Sequence, residues 1–412
     1  MFKNIVFGLM CCSAMSVLAD GVETLDELVR QALAADPELC ALEAGGEAAR
    51  AAAKQAALRP NPEFSADAGF KRADAEEGAE SGYAFGVGLA QTFERSGKRE
   101  ARVAVAEADV TFAVEALAQR RRELEARVRG LAHAYRIDAA DAQAAGEVSR
   151  RSRALIDMLK QRPAAGVAIF LELRMIEASL IEFQAAAREF AGQRDDARIA
   201  LNTLLNRDPD SPLNLPAEIE MPAALAQAEA LAKLEDHPRL GMLRAELARR
   251  NGEAREASLA ARPDVSIGPF VSQEDAGEQE MVAGLSFSME LPLRNRNQGA
   301  IAAAAARGRQ AGAEFDAGQR ALLGDLAQAL RANARALAQL EAVSAASVED
   351  MHAAADLAER QYRLGAIGVQ LFLDMQREYL NVQRRRHEAL RNAWSSTLDI
   401  FQATGIAPEE QP

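Results

Sequence analysis

Two hydrophobic periods alternate along the chain. From Tyr83, the apolar Tyr83, Phe85, Val87, Leu89 and Phe93 alternate with Ala84, Gly86, Gly88, Ala90 and Thr92. This period of two predicts a strand with its aromatics on one side. Phe64, Ala66, Ala68 and Phe70 alternate with Ser65, Asp67, Gly69 and Lys71 and predict its partner. Further on, Met281, Ala283, Leu285, Phe287, Met289 and Leu291 stand against Gly284, Ser286, Ser288 and Glu290, and a weaker run of Val265, Ile267 and Val271 is interrupted by Pro269. The expected strands are 62–71, 82–93, 264–272 and 281–291, paired as two hairpins. Their connections, RADAEEGAES (72–81) and QEDAGEQE (273–280), are acidic and turn-rich, as solvent-facing loops should be.

The rest has helical character. From Lys98 to Lys160 and from Asn297 to Leu364 the pattern runs without proline, which predicts two helices of roughly 90 to 100 Å at 1.5 Å per residue. Ala302 to Ala306 permit close helix approach, and Leu322, Leu326, Leu330, Leu337 and Leu340 continue a packing face. Each long helix ends in a break, QRPAAG (161–166) or YRLGAIG (362–368), with Pro163 and Gly166 supplying one turn and Gly365 and Gly368 the other. A second helix then runs back to Leu205 or Thr404.

These elements form one unit written twice. DELVRQALAADPEL (26–39) returns as AEALAKLEDHPRL (228–240), and AALRPNPEFSADAGF (56–70) as LAARPDVSIGPF (259–270). QTFERSGKRE (91–100) returns as MELPLRNRNQG (289–299), and GVAIFLELRMIEASL (166–180) as GAIGVQLFLDMQREYL (365–380). The expected division is a first repeat at 20–206, a Pro-rich linker at 207–222, a second repeat at 223–405 and a frayed tail at 406–412.

Composition narrows the class. The chain has 412 residues, is Ala-rich, 5% aromatic and 26% charged, which suits long packed helices. Residues 1–19 combine Lys3, a short apolar stretch and Val17-Leu18-Ala19 before Asp20, the pattern of an export signal peptide. Removing its single charge, Lys3, takes the formal net charge from -13 to -14, an acidic balance that argues against nucleic acid as a partner. Cys11 and Cys12 fall within that leader, and the residues before them make poor lipoprotein sites, so Cys40 stays without a disulfide partner in the mature chain. Beyond the leader no apolar run reaches the roughly 20 residues of a membrane-spanning helix.

Any membrane insertion therefore has to use strands. Two readings fit them: hairpins capping a helical protein in water, or strands of about ten residues that cross a bilayer when tilted. Duplication and export favour the second. Four strands cannot close a barrel, and an open edge in lipid costs several kcal/mol per polar group, so copies of the chain must share the wall.

At this point the chain resembles the TolC family of outer-membrane efflux proteins over nearly its whole mature length. The resemblance rests on the duplicated order of elements, the junction LPLRNRNQGAIAAA (291–304), the turn QYRLGAIGVQLFLD (361–374) and the two hairpins. LPLRNRNQG is most similar to the heavy-metal-efflux, CzcC-like branch. The resemblance implies a mainly α fold with a small β part: a homotrimer whose long antiparallel helices form a periplasmic tunnel and whose four strands per chain build a shared twelve-stranded barrel in outer-membrane lipid. It further implies docking onto a periplasmic adaptor served by an inner-membrane pump of the resistance-nodulation-division type, and passive conduction without a cofactor. Drug or protein export by the same architecture, and a soluble periplasmic scaffold, are the competing classes.

By the same resemblance Arg363, Leu364, Gly365, Ile367 and Gly368 match the family's periplasmic tip, with Gly166 and Val167 as first-repeat counterparts. Plain turn chemistry accounts for the glycines taken alone. Asp374 matches an acidic ring at the closed aperture, although the companion acidic position holds Leu371. Catalysis and metal binding find no support. His133, His237, His352 and His387 form no ligand cluster, Glu349 with His352 lacks the second copy of a di-iron bundle, and no nucleophile-base pair or phosphate loop is present. Arg120 to Arg122 and Arg384 to Arg386 read as salt-bridged helix faces, and Trp394 as a helix-packing residue.

Overall fold

The fold is taken from a computed structural model that describes residues 22–75, 78–95, 97–161, 166–276, 278–407 and 410–411. The expected leader and Pro163 lie outside these residues. In chain order the elements are α1 (Leu25–Ala35), α2 (Pro37–Ala56), β1 (Glu63–Ala75), β2 (Gly78–Phe93), α3 (Lys98–Lys160), α4 (Gly166–Leu204), β3 (Met221–Pro222), α5 (Gln227–Lys233), α6 (Pro238–Ala260), β4 (Val265–Ala276), β5 (Glu278–Met289), α7 (Gln298–Ala342), α8 (Ala345–Arg363), α9 (Val369–Thr404) and β6 (Glu410–Gln411).

Equivalent devices begin the helices of both repeats. Asp36 ends α1 and its carboxylate accepts the Glu38 N–H at 3.0 Å, with Pro37 as the first residue of α2. His237 does the same before Pro238, its Nδ1 accepting the Arg239 N–H at 3.0 Å. Both are N-caps followed by a proline whose missing N–H costs nothing there.

The four long strands form one antiparallel sheet in the order β1-β2-β4-β5. Each hairpin is a pair, and β2 joins β4 between them, for example Val87 opposite Val271. No pairing joins Leu89 and Ala90 to Pro269 and Gly268, whereas residues on either side pair. Pro269 has no N–H to offer, and at Gly268 a Cβ would lie 1.6 Å from the Leu89 carbonyl oxygen, so only glycine fits. Among the described residues, β1 and β5 each keep one edge without a strand neighbour.

The helices carry the buried core. Leu28, Val29, Leu124, Val128, Leu201 and Leu205 join α1, α3 and α4 in one cluster. At the other end Leu155, Leu159, Ile176, Phe183, Phe372 and Leu373 join α3, α4 and α9. Leu322, Leu326 and Leu340 of the expected packing face are buried.

The two long helices differ. In the first repeat α3 spans 63 residues unbroken, as the pattern predicts. Its counterpart stops at Ala342 and restarts at Ala345, short of the continuous run expected to Leu364. Val343 leaves helical geometry at φ -114 and ψ 75, and Ser344 caps the new helix by accepting the Ser347 N–H at 3.1 Å. Arg386 of α9 donates to the Val343 carbonyl at 2.9 Å, satisfying an acceptor that the break exposes. Near the chain end Glu410 and Gln411 pair with Pro222 and Met221, joining the expected tail to the end of the expected linker.

Candidate functional site: a two-faced sheet and paired hairpin tips

Register sorts the sheet into two faces. On one, Phe64, Phe70, Tyr83, Phe85, Phe287 and Leu285 are all strongly exposed, Phe70 at 82% and Leu285 at 76%. Phe70 and Tyr83 are cross-strand partners with ring centroids 4.8 Å apart. The other face alternates into small and polar residues and lines a trough of about 490 Å³, bordered by Ser65, Asp67, Gly86, Gly88, Ser272 and Glu274. In water so many exposed aromatics would be a costly surface. A hydrocarbon phase reverses the sign.

The two helix-hairpin ends lie side by side. The core around Leu159, Ile176 and Phe372 also holds Tyr362, whose ring stacks on Phe372 at 5.3 Å. Tyr362 donates to Glu172 at 3.1 Å, and Arg377 donates to Ser179 at 2.9 Å and pairs with Glu182 at 3.1 Å, so α8 and α9 are each tied to α4. Arg151 of α3 pairs with Asp356 of α8 and with Glu147 of its own helix.

The second-repeat tip is a Schellman turn. Gly365 has φ +75, its N–H bonds the Tyr362 carbonyl at 2.9 Å, and the Ala366 N–H bonds the Gln361 carbonyl at 2.9 Å. Turn chemistry thus accounts for Gly365. Gly368 caps α9 at φ -77 with open space around it, so neither strain nor crowding demands a glycine there. Arg363 pairs with Glu359, Ile367 packs on the core, and Leu364 is 78% exposed. Gly166 and Val167 open α4. Phe170, Leu171 and Leu371 add further exposed apolar surface near this end.

Asp374 is half-exposed on α9, one turn from the exposed Leu371. Gln370 donates to it at 3.0 Å, and Arg377 stands 3.6 Å away. Its carboxylate therefore has local partners within one chain.

Away from sheet and tips, a buried polar girdle joins α3 to α9. His387 bonds Asp141 at 2.6 Å, and Arg391 reaches Asp138 at 2.7 Å and Asp141 at 3.3 Å. Burial pushes the Asp138 carboxyl up, against the pull of Arg391. One step along, Trp394 is 2% exposed, donates to the Glu220 carbonyl at 3.0 Å and stacks on His133 with centroids 3.7 Å apart. Burial, with help from Arg136 and Arg129, holds His133 down at about 3, and burial beside Arg122 and Arg239 holds His237 at about 4. The girdle escaped sequence reasoning because its pairs lie 246 and 250 residues apart.

The remaining expectations can be placed. Arg120 pairs with Asp36 and Glu38, and Arg121 with Glu43, on helix faces as expected; Arg122 instead lies against Gly405. His352 sits beside Tyr379 and 3.9 Å from Asp356. Among the described residues no group of acidic, His or Cys side chains could hold a metal ion, and no helix is long and apolar enough to cross a membrane.

Comparison with known proteins decides the family. Residues 28–207 and 222–406 match the outer membrane efflux protein family. The chain belongs to that family. Membership makes it a transport duct rather than an enzyme. No curated protein matches the chain. Among solved structures, the Campylobacter jejuni CmeC outer membrane channel is 17% identical, with 92% of this chain and 85% of that one covered and a TM-score of 0.72. The Neisseria gonorrhoeae MtrE outer membrane channel in its open state is 20% identical, with 92% and 88% covered and a TM-score of 0.74. CusC, described for folding and transmembrane channel formation, is 15% identical, with 94% and 95% covered and a TM-score of 0.74. At these identities the likeness establishes the shared fold: mostly helical, with a small four-stranded antiparallel sheet.

Proposed function

We propose that three copies of this chain form the outer-membrane duct of a tripartite efflux system. Each repeat, 20–206 and 223–405 on either side of the linker 207–222, contributes one hairpin to a twelve-stranded barrel. The observation that carries this reading is a sheet with an exposed apolar face and, among the described residues, two edges without a strand neighbour. Lipid accepts the face, and the β5 edge of one copy meets the β1 edge of the next, leaving no backbone polar group unpaired. The helices then stand in the periplasm as the tunnel wall, with most of the mass outside the bilayer.

Arg363, Leu364, Gly365, Ile367 and Gly368, with Gly166 and Val167, meet a periplasmic adaptor. The exposed Leu364 and Leu371 supply apolar surface for that contact. The adaptor links the duct to an inner-membrane resistance-nodulation-division pump. Asp374 acts as the aperture gate, because three carboxylates crowded on one axis attract cations and repel anions. Leu371 makes the same constriction partly apolar. Replacing Asp374 by Asn lowers the cation-over-anion permeability of single channels if this is right; unchanged selectivity removes the gate.

The cargo is heavy-metal cations, a reading supported by the likeness of LPLRNRNQG to the metal-efflux branch. Export of drugs or of secreted protein is the second reading. Deletion of the protein sensitises cells to cobalt, zinc, cadmium or copper under the first. Sensitivity to hydrophobic drugs alone favours the second. Release of the chain from membranes without detergent, as a monomer, overturns the duct itself.

A further inference from the structure

On the trough face of the sheet one aromatic stands apart. Phe270 pairs with Gly88 on one side and Gly284 on the other, so it belongs to the face that carries Ser65, Ser286, Asp67 and Ser272. Phe64, Phe70, Tyr83, Phe85, Phe93 and Phe287 all lie on the opposite face. The ring lies over its neighbour strand: a methyl group added at Gly284 would stand 2.9 Å from Cε1 and 3.2 Å from Cζ. Gly88 sits against the Phe270 Cβ, at 3.7 Å from its own would-be Cβ. The two glycines make room for the ring, which lines the trough.

Two carboxylates, Asp67 and Glu274, line the same trough. One row along the strands, Asp67 flanks Gly86, and the next row brings Glu274, which shares Lys71 at 2.5 Å with a weaker pairing to Glu280 at 3.6 Å. An aromatic face beside carboxylates, over a floor of glycine and serine, is the chemistry that holds an organic cation: the ring quadrupole attracts the charge and covers an apolar substituent. The trough of about 490 Å³ has the size of a small-molecule site. A hydrated metal ion gains little there, because the ring offers no donor atom.

We propose that this trough is a subsite for amphiphilic organic cations, with Phe270 as its specificity-determining residue and Asp67 supplying the countercharge. The inference rests on the duct reading, which turns the trough towards the pore. In the assembled barrel each copy contributes one such ring at the same height.

Pore recordings in planar lipid bilayers, with tetraphenylphosphonium as the probe, test it. The wild type is blocked by the cation. Phe270→Leu keeps the apolar bulk and removes the π face, raising the half-blocking concentration about three- to thirtyfold, the range expected for one cation–π contact. Phe270→Trp restores block, and Asp67→Asn weakens it by a smaller factor, about threefold. Zinc conductance stays the same in both Phe270 variants. If Phe270 serves only to cover Gly284, the Leu variant lowers the thermal stability of the assembly and leaves block unchanged, which overturns the subsite. A wild type that forms no pore sinks the duct reading and the subsite with it, whereas pores with equal block in wild type and Phe270→Leu sink the subsite alone.

Discussion

The sheet and the helical body apply one physical rule in opposite directions. In the helical body, away from the tips, large apolar side chains such as Phe372 at 1% exposure and Trp394 at 2% turn inward, while ion pairs such as Arg121 with Glu43 face outward. In the sheet Phe70 and Leu285 are turned out, and apart from Phe270 the trough face carries small or polar residues along β1, β2 and β4. On the duct reading the contrast is one of medium: apolar surface leaves water in both cases, into a core in the helices and into lipid at the sheet. An acidic chain can therefore carry an apolar sheet face, because the charged strand residues Asp67, Lys71 and Glu274 lie on the opposite face.

The largest expected effect lies in the helical body. Phe372→Ala empties the core shared by α3, α4 and α9 and should cost about 3 to 5 kcal/mol, seen as a lowered thermal midpoint of the helical signal. Next comes a paired test on the sheet. Leu89→Arg, on the apolar face, should cost about 2 to 4 kcal/mol per copy in lipid, and denaturant titration in vesicles measures it. Ser272→Arg, on the trough face, should assemble normally. Equal damage from both would erase the distinction between the faces.

Acid separates the regions in a third way. Burial lowers His133 to about 3 and His237 to about 4 from an ordinary 6.5, so the folded state holds both neutral. Their contribution is complete above pH 6.5 and is lost as pH falls towards 4, at about 1.4 kcal/mol per pH unit for each ring. His133→Phe should flatten that slope in acid unfolding of the helices, and a slope that persists unchanged assigns it elsewhere. The smallest effect is local. Arg386→Ala leaves the Val343 carbonyl without its donor, about 1 kcal/mol, and faster amide exchange confined to 343–348 is the expected result.

Much of this was legible beforehand because it is local. A two-residue period marks strands wherever one face differs from the other, so β2 was placed to within its first few residues and α3 to its ends. Asp36-Pro37 and His237-Pro238 announce helix starts in a few letters. Neither proline nor glycine marks the end of α7; the local sign is Val343 followed by a capping Ser344, which acts jointly with Arg386 from another helix. The tip glycine Gly365 was readable as a turn, whereas the partners of Asp374 required the helix to be built.

Sequence alone determined the types and approximate extents of most elements and the presence of a one-sided apolar sheet, since these follow from periodicity and backbone preference within short windows. Only the tertiary structure decided which residues far apart in the chain meet. The Asp141–His387 and Asp138–Arg391 pairs, the seat of Trp394 on His133 and the place of Phe270 on the trough face all depend on register and helix packing. Those are set by the summed burial of many side chains at once, and no short stretch of residues carries that sum.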